Sequence, residues 1–187
     1  MNKQNQHIEG IIQHYEDVWG VEYTHKISKD SAMHALDPAF RVLEFSQLPD
    51  RPEWAYATCG MSLAKDPKPI EIHLFSLKRD RKLVDLLSSI AYGYRNGDAM
   101  EVNDIVNFGR PWHKNSICTH GLVSLPYPDG SKMEVERILG KNTFFYWMIP
   151  ITEREADYKK NCGIYDLNLL FDEPPLDYMN IRRRSVV

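Results

Sequence analysis

The stretch IEIHLFSL at residues 70–77 decides the fold. Ile70, Ile72 and Leu74, followed by Ser76, fall on one side of an extended chain, and Glu71, His73 and Phe75 fall on the other. Successive strand side chains alternate in this way, so the stretch is read as a β-strand. His73 is read as an ordinary histidine of the sheet surface. Upstream, WAYATCGMS at 54–62 predicts a second strand, separated from the first by a loop that Pro67 and Pro69 punctuate. Residues 39–46 predict a third, closed by the turn residues Pro49, Asp50, Arg51 and Pro52.

Beyond these strands the period changes to that of a helix. Ile8, Ile11, Ile12, Tyr15 and Trp19 recur at helical spacing, with Gly20 where a C-cap belongs. Residues 21–38 carry mixed signals and are read as irregular. Downstream, Leu83, Leu86, Leu87, Ile90, Ala91 and Tyr94 keep the same rhythm, ended by Asn96 and Gly97. Gly93 inside that helix costs about 1 kcal/mol relative to alanine, which implies a close contact there.

Residues 116–128 predict another strand, with a turn at Tyr127–Gly130. TFFYWMIPI at 143–151 lacks alternation and reads as a strand buried on both faces. Thr152 and Glu155 have the spacing of a capping box, opening a short helix toward Cys162 that Gly163 ends in the left-handed conformation. Residues 165–171 predict a last helical piece, stopped by Pro174 and Pro175, and Arg182, Arg183 and Arg184 are read as a solvated tail. With no repeat or linker, the expectation is one α+β domain over residues 1–187, with its core at about 5–180. It combines a mixed, mostly antiparallel sheet with packed helices and a short basic tail.

The chain has 187 residues, with 23 Lys and Arg against 26 Asp and Glu, a formal net charge of −3. That balance gives no electrostatic support for coating nucleic acid. The 43% hydrophobic content can furnish a core, which argues against native disorder. The apolar runs fall far short of the ~20 residues that span a bilayer, so no membrane role is expected. The N-terminus MNKQNQHIEG lacks an apolar signal core, and three widely spaced cysteines do not form a disulfide framework. Both point to the cytoplasm.

Phosphate-cradling loops, dinucleotide fingerprints, zincin helices and nucleophile elbows are all missing from the sequence, and no cofactor is implied. The densest polar cluster is His113, Cys118 and His120. Cys118 and His120 are two apart, so a regular strand points them to one face. A thiolate and imidazoles can bind zinc, but a fourth ligand is not evident, and the packing reading is preferred over a metal. The alternative is a small cysteine-dependent hydrolase or transferase using Cys118 with His120 or His113. Cys59 reads as a small core hydrophobe. Most of the aromatic load, Trp54, Tyr56, Trp112, Tyr127, Tyr146 and Trp147, reads as core, with a minority available as interaction anchors.

Together the segments WAYATCGMS, IEIHLFSLKR at 70–79, GRPWHKNSICTHGLVSLPYP at 109–128, TFFYWMIPITEREADYKKNCG at 143–163 and RRRSVV at 182–187 resemble the suppressor of fused family. The resemblance spans roughly residues 5–187, and the GRPW and PITERE segments look like the family's bacterial versions. It implies a non-enzymatic domain that binds a protein partner, because eukaryotic members hold an extended peptide of a transcription factor. For a bacterial member it implies an immunity protein that neutralises a cognate toxin. It also implies a partner-binding role for Tyr56, and for Trp54 two residues before it on the same strand face.

Overall fold

The computed structural model describes residues 2–26, 36–98 and 100–187. Residues 2–19 open as the periodicity predicts, with helix α1 at Lys3–Trp19. The Asn2 side chain accepts the Gln4 N–H at its start, and Gly20 closes it at φ 66° by donating to the Glu16 carbonyl. Strand β1 follows at Tyr23–Lys26, inside the stretch read as irregular, and the rest of that stretch to residue 35 lies outside the described residues.

Strands β2 (Arg41–Phe45), β3 (Trp54–Cys59) and β4 (Ile70–Ser76) form an antiparallel meander with β1 at its edge. Helix α2 (Lys82–Arg95) then crosses the sheet to β5 (Ile105–Asn107), β6 (Cys118–Ser124), the single turn α3 (Ser131–Glu134), β7 (Val135–Ile138) and β8 (Lys141–Thr152). The sheet order is β1-β2-β3-β4-β8-β6-β5, with β7 also paired to β8. The parallel contact of β4 with β8 is the exception among antiparallel pairs. Helices α4 (Glu153–Cys162) and α5 (Ile164–Asp172) close the chain.

Two apolar clusters sandwich the sheet. Leu83, Leu86, Leu87 and Ile90 of α2 pack on Val42, Tyr56, Ile72, Leu74 and Met148. On the other face Ile8, Ile11, Tyr15 and Trp19 of α1, with Ala156 of α4 and Leu167 and Phe171 of α5, cover Leu43, Phe45, Ala57, Phe75 and Trp147. Each such side chain contributes about 1.5–3 kcal/mol of apolar burial, and neither face is left to water.

Covering both faces corrects the reading of β4. All seven of its residues are buried, and His73 is fully enclosed. Its Nε2 lies 3.2 Å from Asp129 Oδ2, and Asp129 Oδ1 accepts the Trp19 indole N–H at 2.7 Å. An apolar periodicity cannot distinguish a half-buried strand from one whose second face carries paired polar groups.

The β8 strand and its capping box form as expected: Thr152 accepts the Glu155 N–H, and Glu155 accepts the Thr152 N–H. Gly163 takes a positive φ of 95° but an extended ψ of 169°, so it turns α4 straight into α5 instead of closing α4 in the left-handed conformation. The tail reading is also corrected. Arg183 is buried against Glu155, while Arg182 and Arg184 are exposed. Among the described residues no helix is long and apolar enough to cross a membrane.

Candidate functional site

Trp54 and Tyr56 sit two apart on β3 and pack into the same cluster under α2. Tyr56 is fully buried, and its hydroxyl oxygen accepts the Asp80 N–H at 2.9 Å. Trp54 is half-buried at the end of β3, paired with Ser76 at the end of β4. The chain leaving β4 folds back over this end. Arg79 lies over the Trp54 ring at 5.1 Å and donates from Nε and Nη2 to Oε1 of the buried Glu44. Glu44 therefore fixes an exposed guanidinium in place above an aromatic ring, a contact worth about 0.5–1 kcal/mol at the surface.

His113 joins the same end. Its Nδ1 lies 2.9 Å from Asp80 Oδ2 and its Nε2 2.8 Å from Ser76 Oγ. Burial lowers its pKa and the Asp80 carboxylate pulls the other way, for a net lowering. With the ring proton on Nδ1, the tautomer that the Asp80 carboxylate favours, Nε2 is an acceptor that competes with the Lys78 carbonyl for the single Ser76 hydroxyl proton. The order carboxylate, imidazole, hydroxyl has the composition of a proton relay. Ser76 is fully buried, however, and its hydroxyl also lies 2.7 Å from the Lys78 carbonyl and accepts the Lys78 N–H. The arrangement pins the turn after β4 to the loop after β5.

Cys118 and His120 do not share a face. A register shift falls between them in the β6–β8 ladder. Cys118 packs into the cluster under α2, whereas Leu122, two beyond His120, packs into the opposite one. A bulge inverts the alternation that the two-residue spacing assumed. Burial pushes the Cys118 thiol up, against the partial pull of Arg183 and Ser116. Among the described residues no group of three or more His, Cys, Asp or Glu is placed to hold a metal.

A further element of this end carried no sequence signal beyond the two β-branched residues Ile105 and Val106. Among the described residues strand β5 is a sheet edge, paired to β6 alone. The Phe108 N–H donates to the Thr119 carbonyl at 2.9 Å. By the antiparallel alternation, Val106 then faces β6, and the N–H and C=O groups of Ile105 and Asn107 point outward. A cleft of about 430 Å³ runs beside this edge, between it and α2, with Leu86, Ile90, Met100 and Phe108 among its lining residues. The chain leaving β5 stays close to α2: Arg110 Nη2 donates to the Lys82 carbonyl at 3.0 Å, and His113 reaches Asp80 three residues later. The loop leaving β5 is thereby joined to the Asp80–Lys82 turn, whereas Trp54 on β3 is separated from the β5 edge by β4, β8 and β6.

A second cleft of about 590 Å³ lies in the opposite layer, lined by Tyr127, Trp147, Phe171 and Tyr178. Tyr127 is 71% exposed, and Trp112, Tyr146 and Trp147 are core.

The family model described as suppressor of fused protein (SUFU) matches residues 37–184. The chain is similar to a crystal structure described as a SUFU homologue from Neisseria gonorrhoeae FA 1090, at 25% identity and TM-score 0.85, covering 98% of each chain. Its fold is also that of a chain in the Sufu–Fu complex, at 15% identity and TM-score 0.69 over 96% of this chain and 92% of that one. Drosophila Suppressor of Fused matches at 16% identity and TM-score 0.65, over 97% of this chain and 51% of that one, so here the chain spans about half of its relative. No curated protein matches the chain.

Proposed function

The chain belongs to the suppressor of fused protein family, and on that premise we propose that it is a non-enzymatic domain that binds a protein partner as an added strand on β5. The observation that carries this reading is the unpaired β5 edge beside an apolar cleft. Outward N–H and C=O groups supply main-chain pairing, and the cleft receives alternate side chains of the incoming strand. The family includes a member found in a complex with Fu.

Trp54 is assigned as an aromatic anchor outside the cleft, with three strands between it and β5, and Tyr56 holds the Asp80 turn that links that end of the sheet to the loop after β5. The candidate nucleophiles fit packing better than catalysis. The Ser76 hydroxyl is fully buried, and the Cys118 thiol is held protonated on the face opposite His120. For the biological setting the reading is an immunity protein of the cytoplasm, whose partner is a cognate toxin.

Co-expression with the protein encoded beside its gene tests this. A stable stoichiometric complex, together with relief of that protein's toxicity, is the expected result. A neighbour that is toxic yet neither bound nor relieved contradicts it.

A further inference from the structure

Although the chain carries a net charge of −3, its charges are not evenly spread. The turn entering α2 and the loop leaving β5 place Arg81, Lys82, Arg110 and Lys114 toward one end of the β5 groove, with Lys78 and Arg79 farther off toward β3, all of them exposed. Three contacts fix this grouping. Arg110 donates to the Lys82 carbonyl, His113 pairs with Asp80, and Arg79 is clamped by Glu44 over Trp54. Two acids of this end are thereby engaged, Glu44 with Arg79 and Asp80 with His113, and a third, Asp85, lies in the first turn of α2 three residues from Lys82 and four from Arg81. Among the described residues, Lys78, Arg81, Lys82, Arg110 and Lys114 have no ion-pair partner.

Groove and charge have a fixed relative direction. Strand β5 runs from Ile105 toward Arg110, and α2 runs the opposite way, from Lys82 at the basic end to Gly93 beside the cleft. The far end of the cleft carries Asp98, an acid. A strand laid along β5 therefore meets apolar lining in the middle and unpaired cations beyond Asn107.

We infer that the segment gripped at β5 is an acidic peptide, with its carboxylates placed beyond Asn107 against Lys82, Arg81 and Arg110. The inference rests on the protein-binding reading and names the partner's chemistry. Exposed cations at the rim of a groove set association rate, orientation and partner choice more than total affinity. Nucleic acid is the less suited polyanion, because the basic area is confined to one end of an apolar groove and the chain as a whole is acidic.

The test uses the full chain and a strand-forming peptide of alternating Glu and Val, followed by amide chemical shifts. A peptide with Lys in place of Glu and an oligothymidylate serve as competitors. The glutamate peptide should move the amides of residues 78–82 and 105–114, and added salt should weaken it. Lys82→Glu with Arg110→Glu should weaken it by about tenfold or more, while the exposed control Lys160→Glu should leave it unchanged. Preference for the lysine peptide or the oligothymidylate at these amides overturns the inference, as does a glutamate peptide that moves none of them. The protein encoded beside the gene separates the two levels. If it binds wild type and the doubly reversed variant equally, the acidic inference fails and the protein-binding reading stands. If it is toxic yet does not bind wild type, the protein-binding reading fails.

Discussion

Arg183 donates from both terminal nitrogens to Glu155, Nη1 to Oε1 and Nη2 to Oε2, each at 2.7 Å. Both side chains are almost wholly buried. The pair ties the C-terminal segment to the first turn of α4, and the Val186 N–H and the Ser185 hydroxyl add contacts to Glu155 and Thr152. Removing one member of a buried pair leaves the other charged and unpaired, at about 3–5 kcal/mol. Arg183→Ala should lose that much stability in urea unfolding, and replacing both members by apolar residues of similar volume should recover part of it. An unchanged midpoint for Arg183→Ala would return residues 182–184 to the role of a solvated tail.

Glu71 behaves differently. It is fully buried and accepts N–H bonds from Gly60, Met61 and Ser62 and hydroxyl bonds from Thr58 and Ser62, but no cation pairs with it in the described network. Burial pushes its carboxyl up to about 7, with those hydrogen bonds pulling back. A folded pKa above the unfolded value gives stability that is complete below the unfolded pKa and is lost as pH rises through the folded one. Stability should therefore fall between about pH 5 and 8, by roughly 3 kcal/mol at the limit. Glu155 has the opposite sign. Burial raises its pKa, but the bonds from Arg183 and the Thr152 N–H outweigh burial and leave it lowered, so its contribution is lost only as acid brings pH down through its folded value. Urea unfolding across the neutral range should show the Glu71 slope in wild type and a flatter line in Glu71→Gln.

At Gly121 an added Cβ would lie 2.3 Å from Met148 Sδ and 2.6 Å from Phe108 Cζ. Gly121 lies opposite Val106 and Pro150, so this is where β6 lets the start of the loop after β5 close over the sheet. Gly121→Ala should cost about 1–3 kcal/mol through overpacking. It should also perturb the β5 edge in amide exchange more than it perturbs β1–β3.

The sheet was legible where periodicity was strong. Strands β2, β3, β4 and β6, the Gly20 cap of α1 and the capping box at Thr152 follow from residue spacing, and β8 follows from an apolar run without alternation. The short elements β1, β5, α3 and β7 were not, because a run of three or four residues has no measurable period and is held by the ladder it joins. The candidate site was legible only in part. Trp54 and Tyr56 were marked by resemblance, and His113 was singled out for chemistry. Its partners Ser76 and Asp80 are 37 and 33 residues away in sequence. The bulge that parts Cys118 from His120 leaves no mark in composition.

Tyr56 and Trp54 should separate in their effects. Tyr56→Phe removes the acceptor for the Asp80 N–H and should cost about 1 kcal/mol. Tyr56→Ala empties a core position at about 3–5 kcal/mol. Trp54→Ala should spare most of the fold and weaken partner binding by about 2 kcal/mol, the scale of an interface hot spot. Calorimetric titration beside thermal unfolding checks both. A Trp54→Ala variant with full affinity removes the residue from the interface.

Thiol labelling separates the binding reading from a cysteine enzyme. Cys162 is exposed, and Cys59 and Cys118 are buried. An aromatic disulfide reagent should modify Cys162 at once and Cys118 only on unfolding, since a buried thiol with a raised pKa supplies little thiolate. Fast labelling of Cys118 in the folded protein would favour the catalytic alternative.

Amide hydrogen exchange at Ile105 and Asn107, in the free chain and in its complex with the protein encoded beside its gene, tests strand addition most directly. Their outward N–H groups should exchange freely when alone and become strongly protected in the complex, with little change in β1. A stable complex that leaves both amides exchanging as in the free chain would contradict binding at this edge.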